Sequence, residues 1–427
     1  LATACAAAGL ALSVAALLLL DRGTRFPGLA SLAPCLGAVL LLVGGAGVNP
    51  VSAVLGSRVP VAIGLLSYSL YLWHWPLISL LRYRRVALDG AGGVALLAAA
   101  LALAWLTWRY VELPARRPPL PSLRRAVRRY YAVPAAGCLA VGLLSYASDG
   151  LPGRFSADAR ELLASYSFER DLSGACAVRK SEYRGVNLPY LLGHCAFGAS
   201  DAAVSVLLYG DSHAHHFKPF VEQLAQAAGV RAVYQVEGSC DPLDLPAPAA
   251  AVSSCQQRNA DLLRLAGQFR YVVLAGRWQY KGDEPLFDAR LDAVVRAVTA
   301  RGAIPVVFKD GPSLAEDLSR CVLYRKRGWI AAGTDCDMPY TAVVEEQGSM
   351  DHVIDVLQQR QPQLRVVDPK QVMCDARRCL TAIGNVALYK DNNHLNAVAA
   401  RLLGQRYLVR VGNPLLARAG VGAQVRR

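Results

Sequence analysis

Apolar and polar positions divide the chain into two unlike parts. Up to residue 147 it runs in long stretches of Ala, Leu, Val and Gly; beyond, short apolar stretches alternate with polar ones. A helix crossing the hydrocarbon core of a bilayer needs about 20 apolar residues. Five segments reach or approach that length: Thr3–Leu20, Gly28–Val48, Val59–Leu81, Gly92–Tyr110 and Tyr130–Ala147. They predict a bundle of transmembrane helices. The first is too long to read as a cleaved signal peptide. Tyr68, Tyr71, Trp73, His74 and Trp75 cluster towards the end of the third, and rings with a polar handle favour the membrane–water interface. His74 is an ionisable group within a span, hence a functional candidate, although its aromatic surroundings favour packing.

Ser148-Asp149-Gly150-Leu151-Pro152-Gly153 is turn chemistry and marks a domain boundary. After it, Val204–Tyr209, Val230–Val236, Tyr271–Ala275, Ile304–Phe308 and Leu364–Val367 predict strands. Glu222–Ala228, Ala260–Gln268, Leu291–Arg301 and Met350–Arg360 predict helices between them. That alternation predicts a parallel sheet covered on both faces, a three-layer α/β domain. Pro242–Ala250 is a Pro/Ala-rich loop, and no internal repeat is found.

Composition changes this picture in two places. The 427 residues are 54% hydrophobic, with a formal net charge of +14. A basic balance raises nucleic acid as a partner. Here the arginines flank apolar segments: Arg82, Arg84 and Arg85, then Arg116, Arg117, Arg124, Arg125, Arg128 and Arg129. Arginines in that position set orientation and meet anionic lipid. With no zinc-finger, helix-turn-helix or RNP pattern, membrane lipid is the expected partner and nucleic acid is not. If the loop from Arg116 to Arg129 is cytoplasmic, the fifth span leads everything after Asp149 out of the cytoplasm; the arginines at 82, 84 and 85 then lie outside, against the rule.

Eight cysteines follow residue 170: Cys176, Cys195, Cys240, Cys255, Cys321, Cys336, Cys374 and Cys379. In an oxidising compartment they form disulfides. The simplest pairing is sequential, though many others are possible. Zinc ligation is the rival reading, but no tight C-x-x-C pair is present. Cys5, Cys35 and Cys138 lie in apolar stretches and are expected to be small buried residues.

The candidate chemistry lies in Tyr209-Gly210-Asp211-Ser212-His213, at the end of the first long strand. Ligands of open α/β sheets bind outside the carboxyl ends of the strands. Gly210 permits close backbone approach. A helix starting after Ser212 would supply free N–H groups for an oxyanion. A serine hydroxyl needs a base, and Tyr389-Lys390-Asp391-Asn392-Asn393-His394 offers one. Asp391, three residues before His394, can fix the imidazole tautomer and leave the other nitrogen for the serine proton. Asp391 can equally cap a helix. His213 and His215, two apart, could ligate a metal, but no H-E-x-x-H pattern accompanies them and no metal is expected. His215 and His216 are expected to be solvated helix residues.

These residues resemble the SGNH hydrolase superfamily. Matched by position, Ser212 is the nucleophile, His394 the base and Asp391 its orienting acid. Gly238-Ser239-Cys240-Asp241-Pro242-Leu243 and Leu274-Ala275-Gly276-Arg277-Trp278 extend the resemblance to SGNH modules fused to membrane acyltransferases. The superfamily's oxyanion hole uses the nucleophile's N–H, a glycine and an asparagine. Gly238 matches the glycine, with Ser239 as its alternative. No asparagine accompanies Gly276-Arg277-Trp278, so either Arg277 substitutes or the hole has two donors. His213 completes this candidate oxyanion and substrate set and is expected to pack beside the nucleophile.

Ser67-Tyr68-Ser69-Leu70-Tyr71-Leu72-Trp73-His74-Trp75-Pro76 and Arg109-Tyr110-Val111-Glu112-Leu113-Pro114-Ala115-Arg116 resemble the end of an acyltransferase-3 membrane domain. That family's catalytic histidine lies in an N-terminal half that these residues do not include. The sequence opens on Leu1 and is read as part of a longer chain. The resemblance implies three regions. Residues 1–118 are a partial acyltransferase-3 domain, 119–149 a basic cytoplasmic linker with the fifth span, and 150–427 an extracytoplasmic SGNH-like domain with a flavodoxin-like parallel sheet. It further implies a multi-pass protein of the bacterial inner membrane with a periplasmic C-terminal domain. The implied activity is transfer of an acyl group, ordinarily acetyl, to hydroxyls of a surface glycan such as lipopolysaccharide O-antigen. No cofactor is expected in the SGNH domain, and acetyl-CoA is the ultimate donor if the N-terminal half is present. An O-acetyl esterase with the same triad is the alternative. A non-catalytic glycan-binding module is disfavoured by the three intact residues.

Overall fold

The computed structural model describes residues 1–21, 24, 28–84, 86, 88–116, 122–166, 176–177, 183, 185–246, 251–280, 284–313 and 318–416. Arg85, Arg117 and residues 247–250 of the Pro/Ala-rich loop lie outside these. The chain forms two compact units, Leu1–Ala147 and Ser148–Arg427. The boundary is the turn read from the sequence, where Asp149, Gly150 and Leu151 all take positive φ.

Among the described residues of the first unit, four helices are long and apolar enough to cross a membrane: Ala2–Leu19, Arg58–Arg82, Gly90–Arg116 and Leu123–Ala147. The segment expected to span from Gly28 to Val48 is shorter, a 17-residue apolar helix over Leu29–Gly45. Gly45-Ala46-Gly47 does not sustain it, and Asn49 caps a new helix, Pro50–Leu55, by accepting from the Ser52 N–H at 2.9 Å. Helices Ala2–Leu19 and Leu32–Gly45 touch through glycine: a Cβ at Gly44 would lie 2.5 Å from the Ala6 nitrogen. Arg124, Arg125, Arg128 and Arg129, expected in a loop, lie within the first turns of the helix that runs to Ala147. Long arginine stems can lie along an apolar helix while their heads reach water. Cys35 and Cys138, expected to be buried, are exposed on helix surfaces. The two membrane motifs meet: Ser69 Oγ donates to Glu112 Oε2 at 3.1 Å and Trp73 Nε1 to Thr107 Oγ1 at 2.8 Å.

In the second unit, β1 (Ala196–Gly198), β2 (Val204–Gly210), β3 (Arg231–Val236), β4 (Tyr271–Ala275), β5 (Ile304–Phe308) and β6 (Arg365–Val367) form one sheet in the order β1-β3-β2-β4-β5-β6. Five strands are parallel, with Leu208 paired to Tyr234 on one side and Val273 on the other. The sequence did not anticipate β1, an antiparallel edge strand pairing Phe197 with Ala232; three residues carry too little periodicity to show. Every residue of β4 is buried, as expected of a strand covered on both faces. The strand order reverses at β2, which places its carboxyl end at the topological switch point where ligands bind in such folds.

Two helices position the site. Ser212–Ala227 follows β2, and Ala397–Arg410 closes the domain against it. The Gly404–Phe220 contact and the Phe220–Tyr407 ring pair, 5.4 Å apart, hold them together. The C-terminal turn is thereby carried to the end of β2. The four disulfides pair sequentially: Cys176–Cys195, Cys240–Cys255, Cys321–Cys336 and Cys374–Cys379.

Candidate active site

Strand β2 delivers the serine through a crowded turn. A Cβ on Gly210 would lie 1.8 Å from the Ala275 carbonyl oxygen, so only glycine lets β2 and β4 end side by side here. Asp211 is buried and caps the helix. Its Oδ1 accepts the His213 N–H at 2.8 Å and its Oδ2 the Arg277 N–H at 3.0 Å. Fully buried Arg258 donates to the Gly210 carbonyl at 3.1 Å. Ser212 is thus the first residue of a helix anchored on three sides, and its N–H has no helical partner.

Ser212 Oγ lies 2.8 Å from His394 Nε2. His394 Nδ1 lies 2.9 Å from Asp391 Oδ2 and 3.1 Å from Oδ1. The carboxylate only accepts, so Nδ1 carries the proton and Nε2 of the neutral ring is free to accept from the serine. Asp391 also accepts the N–H groups of Asn393 at 3.0 Å and His394 at 2.8 Å. Burial alone would raise Asp391, but the His394 ring and these two N–H donors outweigh it and hold the carboxyl well below its ordinary range. Asp391 caps no helix; its turn closes with Lys390 N–H to His394 O, and Asn396 caps the helix that follows. The His394 and Asp391 side chains are 26% and 41% exposed, so the site is partly open to solvent.

Residues 175–408 match the family model of the SGNH domain fused to AT3 domains. The chain belongs to that family. Among solved structures, it is 15% identical to a lipopolysaccharide acetyltransferase periplasmic domain from Salmonella ser. Paratyphi A, covering 60% of this chain and 97% of that one, with a TM-score of 0.44. It is 14% identical to a carbohydrate acetylesterase family member from Sinorhizobium meliloti, covering 50% and 100%, with a TM-score of 0.32. A putative lipolytic protein of the G-D-S-L family from Desulfitobacterium hafniense DCB-2 is 17% identical, over 47% and 96%, with a TM-score of 0.30. No curated protein matches the chain.

The remaining candidates of this SGNH domain divide. Gly238 and Ser239 form an exposed turn after β3, closed by Cys240 N–H to Glu237 O and pinned by the Cys240–Cys255 disulfide. Ser239 takes φ +61°. Arg277 has its backbone N–H committed to Asp211, and its guanidinium charge acts on the Glu346 carboxylate. His213 is not on the substrate side. It is 1% exposed, with Nδ1 2.6 Å from Asp310 Oδ1 and Nε2 3.2 Å from Asn393 Oδ1. His216 is not solvated either, because its helix is covered by both the sheet and the C-terminal helix, and His215 is only partly exposed. Burial, with Lys218 and His394 adding, pushes His215 down to about 4. Burial drives His216 well below the ordinary histidine value, and neither of its ring nitrogens has a hydrogen-bond partner.

Asp310, Asn393 and Arg258 surround the site without having been singled out in the sequence. Asp310 follows β5 by two residues, and a carboxylate at the carboxyl end of a parallel strand is a legible signal. Arg258, mid-helix in Ser254–Leu265, carries none.

Proposed function

We propose that this SGNH-family protein transfers acyl groups, ordinarily acetyl, to hydroxyls of a bacterial surface glycan such as lipopolysaccharide O-antigen. The observation that carries the reading is the continuous contact from Ser212 Oγ through His394 to Asp391. His394 takes the serine proton as Ser212 attacks the donor carbonyl, and Asp391 stabilises the resulting imidazolium. The imidazolium gives that proton to the donor's leaving group as its bond to the acyl carbon breaks, leaving an acyl-serine and a neutral His394. The Ser212 N–H at the helix start and the Gly238 N–H are the proposed oxyanion donors. A glycan hydroxyl, deprotonated by His394, then attacks the acyl-serine, and the serine leaves with the proton. Acetyl-CoA is the proposed ultimate donor. Residues 1–118 are proposed as part of an AT3 membrane domain, 119–149 as a linker and span, and the SGNH domain as periplasmic. The four membrane-length helices and the disulfide-bonded second unit support that placement.

Water in place of the glycan gives an O-acetyl esterase, and the exposure of His394 favours keeping this second reading. Incubation of the full chain with an activated acetyl ester and candidate glycans separates the two. Ser212-dependent acetylated glycan supports transfer. Acetate alone, still Ser212-dependent, supports the esterase. Turnover unaffected by Ser212→Ala contradicts both.

A further inference from the structure

His213 adjoins Ser212 in sequence, yet both of its ring nitrogens are engaged in the interior. Both partners are acceptors. Asp310 receives Nδ1–H on one oxygen and the Trp278 N–H, at 2.8 Å, on the other. The Asn393 amide is oriented by its own Nδ2, which donates to Asn392 Oδ1 at 2.6 Å, so its oxygen faces the ring. With the amide in that orientation each ring nitrogen carries a proton, which makes the ring an imidazolium paired with a carboxylate. Burial opposes that charge, but Asp310 outweighs it and the ring titrates above an ordinary histidine. Lys370 fixes the other end by donating to the Asp310 carbonyl at 2.7 Å. Breaking a buried pair is costly, yet its net stabilisation over an apolar core is small. Stability alone is a weak reason for it.

We propose that Asp310 and His213 are positioning residues: through Asn393 they clamp the Asp391–His394 turn to the helix that begins at Ser212. The proposal rests on the triad reading above. Asn393 immediately precedes His394, whose ring centroid lies 5.0 Å from that of His213. The Asp391 hydrogen bonds shape the turn internally but do not tie it to the serine's helix. The Asp310–His213–Asn393 chain does. Without it the turn keeps its shape and loses its register against Ser212, and a misplacement of about 1 Å can cost roughly 100-fold in rate.

The test follows p-nitrophenyl acetate hydrolysis by the full chain in detergent, with active sites counted by a fluorophosphonate. His213→Gln and Asn393→Leu are expected to lower kcat per titrated site about 10- to 100-fold with KM within about twofold. Asn393→Asp still accepts from the ring and is expected to retain most of the rate. Nitrogen-15 histidine spectra of the unmodified chain are expected to show both His213 ring nitrogens protonated at neutral pH. If His213→Gln does not fold, the contrast between Asn393→Leu and Asn393→Asp decides. The proposal is overturned if kcat per titrated site is unchanged in the variants that fold, or if Asn393→Asp is as impaired as Asn393→Leu. It also fails if one His213 nitrogen is bare. Hydrolysis that survives Ser212→Ala overturns the triad reading itself, whereas full Ser212 dependence with unchanged His213→Gln overturns the clamp alone.

Discussion

Gly404 lies against Phe220: a Cβ on Gly404 would sit 2.9 Å from the Phe220 carbonyl oxygen and 3.1 Å from the Gln223 Cβ. This contact between the last helix and the helix beginning at Ser212 sets how near Ser212 and His394, the two ends of the proposed triad, come. Overpacking such a contact costs about 1–3 kcal/mol. Gly404→Leu is therefore expected to lower the thermal midpoint and, by moving His394, to reduce turnover more than the lost stability explains. Denaturation and kcat measured on the same preparation check both.

Gly210→Ala is a harsher test of the same corner. The added methyl would overlap the Ala275 carbonyl at 1.8 Å, and neither backbone can yield without parting β2 from β4. We expect little folded protein, read as loss of a cooperative transition. Gly238→Ala, at a position whose Cβ would meet nothing within 4 Å, is expected to fold normally.

Asp391 gives a pH prediction with a definite sign. Its carboxyl titrates lower folded than unfolded, where the ordinary value is about 3.9. The stabilisation from its ionised form is present above about pH 4 and lost as pH falls through the depressed folded value. The difference in thermal midpoint between the native chain and Asp391→Asn is expected to be constant from neutral pH down to about 4 and to shrink below it. Activity of Asp391→Asn is expected to fall on the order of 10⁴-fold, because the imidazole loses its tautomer control.

His216 is also shifted down on folding, and its effect begins at a higher pH. It is neutral when folded and becomes charged when unfolded below about pH 6.5. It therefore costs stability as pH falls below that value. Its two ring nitrogens are unpaired, so an apolar ring of similar size removes that penalty. His216→Phe is expected to be at least as stable as the native chain at pH 5, with a smaller advantage at pH 8, measured by urea denaturation at both.

The strands and the grouping of Ser212, His394 and Asp391 were legible because their signals are local. An apolar run ending in Gly-Asp-Ser announces a strand and its turn, and Asp391 and His394 declare themselves by spacing. What was hidden depends on packing. His215 and His216 read as a solvent face because the sequence does not say that a second helix, anchored by Gly404, covers it. Asp310 has its role only because β5 brings it under His213. The shortened second apolar helix follows from a Gly-Ala-Gly stretch and an Asn49 cap whose effect a hydropathy window averages away.

The Cys240–Cys255 disulfide closes a 15-residue separation, worth about 3 kcal/mol in a chain-entropy account, and its Cys240 end holds the Gly238–Ser239 turn. Cys240→Ser with Cys255→Ser is expected to lower the midpoint by a corresponding amount and to weaken turnover through the loosened turn. Rates and midpoints compared with those of a chain carrying Cys321→Ser with Cys336→Ser, which removes another disulfide of the same separation, would separate a local effect from a general one.

The most direct measurement is the location of the acyl group. The full chain is mixed briefly with an activated acetyl ester, quenched in acid and digested, and the acetylated peptide is sequenced by mass spectrometry. The account expects acetyl on Ser212, absent in Ser212→Ala and much reduced in His394→Ala. Acetyl carried by another residue, or turnover that persists in Ser212→Ala, would contradict it.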